Sequence, residues 1–183
     1  MLKQAQIVRP KLALFAVAVL SMAPALASAR VVRDSEEFSG LLAQAKSEAA
    51  QVQRIAEEMY SFRFDKISWQ TQAGKLSELK THVNSLGEFL AKMNRVEAPS
   101  PWQQQAIADI TPMVDELAGN VTMAIYHLSE NPDRYVFTAF PEYVAANAES
   151  AANITDMLSE YVEYSEAKQT KEDIEFELEL PTI

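Results

Sequence analysis

The chain has 183 residues, with 16 Lys plus Arg against 26 Asp plus Glu, no cysteine and only 4 glycines. A net charge of −10 leaves no basic face for nucleic acid or anionic lipid. The missing thiols exclude disulfides, a thiol nucleophile, c-type haem attachment and every cysteine-ligated metal site.

Residues 1–29 read as a secretory signal peptide. Lys3, Arg9 and Lys11 form a positive start, Leu12 to Met22 is an apolar run, and Ala27-Ser28-Ala29 is a small-residue cleavage pattern. The run is too short to span a bilayer. Cleavage after Ala29 leaves Arg30 as the new N-terminus, 13 basic against 26 acidic residues and a charge near −13. The mature chain is then expected to be periplasmic or secreted, with no stable membrane span.

Four apolar stripes follow the alternating three-and-four spacing of a helical seam. The first runs Phe38, Leu42, Ala45, Ala49, Val52, Ala56, Met59, and the second Leu76, Leu79, Val83, Leu86, Leu90, Met93. The third runs Ile107, Ile110, Val114, Leu117, Val121, Ala124, Leu128, and the fourth Phe140, Val144, Asn147, Ala151, Ile154, Leu158, Tyr161. Start signals agree: Asp34 with Glu37, then Ser68, then Ser100-Pro101-Trp102-Gln103. Pro112 is expected to kink the third helix. Helices are expected at about 34–62, 68–94, 101–130 and 138–168. Short connections make sequence neighbours antiparallel neighbours. The fold class is therefore all-α, an elongated up-down-up-down four-helix bundle over 30–170. An acidic tail, 171–183, follows. Its stretch Asp173 to Leu180 alternates acidic and apolar residues, which reads either as a strand for a partner's sheet edge or as a frayed tail with some helix at its start.

His82 and His127 are the only histidines. Their expected levels differ by about 20 Å at 1.5 Å per residue, so they do not share a metal ion. The residues three before them, Leu79 and Ala124, exclude a di-iron carboxylate site. A haem bundle needs a methionine facing a histidine; Met59 and His127 lie near one end, although Met59 also suits the seam. No metal or cofactor is expected.

Nine aromatics fall at the end made by the first and third loops: Tyr60, Phe62, Phe64, Trp69, Tyr126, Tyr135, Phe137, Phe140 and Tyr143. They predict an end-cap that seals the core. The alternative is a ligand or partner patch made of Phe62, Phe64, Trp69, Tyr126, His127, Tyr135, Phe137 and Phe140, fit for a small apolar ligand or a protein partner. Asn147 takes a seam position, and Asn120 is the expected partner for its amide. Bundle halves can also exchange between chains, so an oligomer is open.

Ser68-Trp69-Gln70, His82-Val83-Asn84, Pro101-Trp102-Gln103-Gln104 with Ala106-Ile107, and Tyr143 with Asn147 resemble blocks in a group of uncharacterised, predicted-secreted bacterial helical-bundle proteins. The resemblance implies a bacterial exported origin. It brings no activity, ligand or catalytic residue. The expectation is a non-enzymatic binding, interaction or structural module of the bacterial envelope, with a small-molecule or haem carrier as the alternative.

Overall fold

The computed structural model describes residues 34–65 and 67–179; the signal-peptide reading at 1–29 and the tail residues 180–183 lie outside them. Four long helices form where the apolar spacing predicts them: α1 Glu36–Ser61, α2 Trp69–Met93, α3 Pro101–Glu130 and α4 Phe140–Glu179. A 3-10 turn, Tyr135–Phe137, precedes α4. No strand occurs among the described residues.

Local chemistry explains the starts. A serine hydroxyl accepts a backbone N–H that the first turn leaves unpaired. Ser35 Oγ accepts from Phe38 N at 3.3 Å, and Ser68 Oγ from Thr71 N at 3.2 Å. At α3 the Ser100 N–H donates to Gln103 Oε1 at 3.0 Å, half of the expected reciprocal cap. The cap of α1 is thus Ser35, not Asp34, whose carboxylate turns to α4. α3 runs unbroken through Pro112, whose ring lies on an exposed face.

Each helix buries one stripe, and neighbouring helices pack in a ring: α1 on α2, α2 on α3, α3 on α4, and α4 back on α1. All six members of the second stripe, Leu76 to Met93, are buried. The fourth stripe departs from its expected course. After Leu158 the core takes Val162 and Ser165, and Tyr161 moves to a half-buried flank. An ideal helix drifts off a strict seven-residue repeat by about 20° per heptad, and this stretch follows the helix rather than the repeat. Likewise Gln103 and Ala106 enter the core where Ile107 stays half-buried.

Two contacts show how the ends come together. Tyr135 Oη donates to Ile67 O at 2.6 Å, joining the first and third loops. At the opposite end Gln103 Nε2 approaches Ser35 O at 3.5 Å, and Lys168 Nζ reaches Asp34 Oδ2 at 2.6 Å. The starts of α1 and α3 therefore share one end and their finishes the other.

The acidic tail is neither strand nor frayed coil up to Glu179. α4 continues 11 residues beyond Lys168 as helix. Pairs one turn apart support it, Lys168 with Glu172 at 3.3 Å and Lys171 with Glu175 at 3.7 Å. Alternation cannot line up on a helix, so Ile174 and Leu178 share a side and Phe176 lies opposite. No helix among the described residues is long and apolar enough to cross a membrane.

Candidate functional site

The expected aromatic patch divides between two jobs. Tyr135 and Phe140 are buried and meet edge to face at 5.2 Å, so they cap the core. Phe62 is half-buried and packs on the core. The other rings scatter. Arg63 lies over the rings of Tyr60, at 3.6 Å, and Phe64, at 4.6 Å. Trp69 lines a shallow groove between α2 and α3 with Lys80, Ile125 and Ser129. Phe137 stands 76 % exposed on the 3-10 turn. His127 stacks on Tyr143 of α4 at 5.2 Å, with exposed Tyr126 edge-on beside it. Met59, the other half of the haem pair, is buried in the core. Side-chain chemistry at this end is therefore spread over several faces, not gathered into one pocket.

His82 joins α2 to α1 through Nδ1, 2.8 Å from Glu48 Oε1. Nearby, Lys75 pairs with Glu58 at 2.8 Å and with Glu78 at 3.4 Å. The hydrogen bond from Glu58 leads in raising the Lys75 ammonium above its ordinary range. The α1–α2 half is internally compensated, with eight basic and eight acidic residues from Ser35 to Arg95.

The other half is not. Between Arg95 and Lys168 stands one basic residue, Arg134, against twelve carboxylates. On this anionic side, α3 and α4 enclose a groove of about 510 Å³ lined by Trp102, Gln105, Asp109, Glu160, Tyr161 and Tyr164. The positions are set by helical spacing: 102, 105 and 109 recur on one face of α3, as do 160, 161 and 164 on α4. Trp102 is held from behind by an edge contact with buried Phe38 at 5.7 Å. Its ring meets Tyr164 at 5.3 Å and 64°. Tyr161 Oη donates to Asp109 Oδ2 at 2.5 Å, while Gln105 Nε2 donates to Asp109 Oδ1 at 2.7 Å. Burial, then the Asp109 carboxylate, push the Tyr161 phenol up to about 12, so it stays a neutral donor at physiological pH.

Beside the groove lies a polar knot. Asp34, before α1, pairs with Lys168 of α4. Ser100 and Trp102 donate toward the same carboxylate from the start of α3. Burial alone raises this carboxyl, but those three hydrogen bonds outweigh it and hold Asp34 below the ordinary carboxylate range.

Two amides stand apart. Gln72 and Asn147 are fully buried, on α2 and α4, and neither side chain has a hydrogen-bond partner. The expected Asn120–Asn147 bond does not form. Asn120 points instead into a shallow α3–α4 surface groove with Glu149 and Asn153. Among the described residues no group of three or more His, Asp or Glu is placed to hold a metal ion.

The Trp102 groove escaped the sequence reading, although a signal was present. A 72-residue stretch with one basic residue, carrying aromatics at helical spacing on two successive stripes, marks a distinct face. The chain matches no protein-family model, no curated protein and no solved structure.

Proposed function

We propose that this chain is an exported, non-enzymatic interaction module of the bacterial envelope: an elongated up-down-up-down bundle that offers the free end of α4 to a protein partner. One observation supports this most. Ile174, Phe176 and Leu178 are 52 %, 59 % and 81 % exposed on a helix that has outrun its neighbours. Apolar side chains held on a preformed helix suit a partner groove. The interleaved Asp173, Glu175 and Glu177 favour a basic rim around that groove. Export rests on the leader-like pattern of residues 1–29.

A carrier of haem or of a small apolar ligand at the aromatic end comes second. Two rings of that end are spent on the core, and His127 rests on Tyr143.

A photo-crosslinking residue at Leu178, expressed in the native host, tests the first reading. The expected outcome is one discrete adduct in the envelope fraction, on a chain that begins at Arg30. No adduct from Leu178, or a chain that retains residues 1–29 in the cytosol, overturns it.

A further inference from the structure

We propose that the α3–α4 groove is a binding site for a small soluble organic cation of the quaternary-ammonium class. The inference stands on a different face from the α4 end and does not depend on it.

The faces of aromatic rings attract cations, tryptophan most strongly. Trp102 and Tyr164 stand at 64° to each other and 5.3 Å apart, which makes two walls rather than one flat stack. Tyr161 supplies a third ring to the groove. The walls are set before any ligand arrives: Phe38 backs Trp102, and the Asp109 hydrogen bond fixes Tyr161. A core role does not account for these rings, because Tyr164 is 51 % exposed.

Charge selects the sign of the ligand. Asp109 and Glu160 line the groove, and neither α3 nor α4 before Lys168 carries a lysine or arginine. No side-chain cation competes for the site along these two helices.

Hydrogen bonding narrows the class further. Both Asp109 oxygens already accept a hydrogen bond, from Gln105 and from Tyr161. The carboxylate keeps its charge while its best lone pairs are engaged. A primary ammonium needs free acceptors for three N–H groups. A tetra-alkylated nitrogen needs none, and its methyl groups gain from contact with rings. Met157, a further lining residue, adds apolar surface for them. The volume of about 510 Å³ holds a choline-sized molecule with room for water.

The test uses the mature chain carrying Trp69→Phe, so that fluorescence reports Trp102 alone. Choline and its neutral carbon isostere, 3,3-dimethylbutan-1-ol, are titrated separately. A saturable change with choline is expected, with the alcohol weaker by about tenfold. Tyr164→Leu is expected to weaken choline about fivefold or more while the circular-dichroism melt is retained. Should that variant not fold, Glu160→Gln, an exposed change, is expected to weaken choline about threefold. Three results overturn the proposal: no saturation by about 50 mM choline, equal affinity for the alcohol, or unchanged affinity in a folded Tyr164→Leu protein.

Discussion

Lys168 Nζ lies 2.6 Å from Asp34 Oδ2, and this single pair joins residues 134 positions apart. It ties α4 to the entry of α1, at the level where α3 begins. Ser100 and Trp102 converge on the same carboxylate, so three segments meet on one charge. Asp34→Asn removes that charge and leaves the Lys168 ammonium without its main partner. The expected loss is about 1–3 kcal/mol, or roughly 3–10 °C in thermal midpoint for a domain of this size. The pH dependence has a definite sign. The folded pKa of Asp34 is depressed, so its stabilisation is present above the ordinary value of 3.8 and is lost as pH falls through the lower folded value. Thermal melts from pH 6 to pH 2 are expected to show a shallower acid limb in the variant than in the parent.

Tyr161 supplies a second pH signature. Burial and then Asp109 raise its phenol from 10.0 to about 12. Because the folded value lies above the unfolded one, the stabilisation is full below pH 10 and disappears as pH rises through 12. Ultraviolet titration of the folded protein is expected to show one late-ionising tyrosine. In Asp109→Asn its midpoint falls toward, but not to, the ordinary value, because burial remains. A midpoint unmoved by that change contradicts the assignment.

Gln72 and Asn147 bury whole amides without hydrogen bonds. An unpaired buried polar group costs about 1–3 kcal/mol. Asn147→Leu and Gln72→Met approximately conserve volume and remove the unpaired atoms. Each is expected to raise the thermal midpoint by about 2–6 °C. A fall in either case means that the amide has a partner worth keeping, such as an internal water.

Ending the chain after Lys168 keeps the Asp34 pair and removes only the outrun end of α4. Residues 173–178 are exposed, so little apolar burial is lost. The Lys168–Glu172 pair at 3.3 Å goes with them, and exposed pairs of this kind contribute about 0–1 kcal/mol. The expected change in thermal midpoint is less than about 3 °C. A drop beyond about 10 °C would place the segment in the cooperative core.

Helix identity and the buried faces were legible in the order of residues. Leu76, Leu79, Val83, Leu86, Leu90 and Met93 are all buried, as their spacing requires. Proline at the start of α3 and serines before α1, α2 and α3 marked the beginnings. These are local properties: a turn of helix involves four residues, and a stripe follows from the angle between successive side chains. The charge contrast between the two halves was equally plain in the order of residues, and it points to the face that holds the groove.

What could not be read is what depends on how the helices are rotated and staggered against one another. A shift of one residue exchanged Tyr161 for Val162 in the core and turned the tyrosine onto Asp109. Asn147 found no partner at the level where Asn120 was expected. Asp34 left the cap to Ser35 because Lys168, far along the chain, stands beside it. Apolar and polar periodicity specifies which side of each rod faces inward. Which side chains then touch is set by axial offset and rotation of packed neighbours, a property of the four helices together and of none singly.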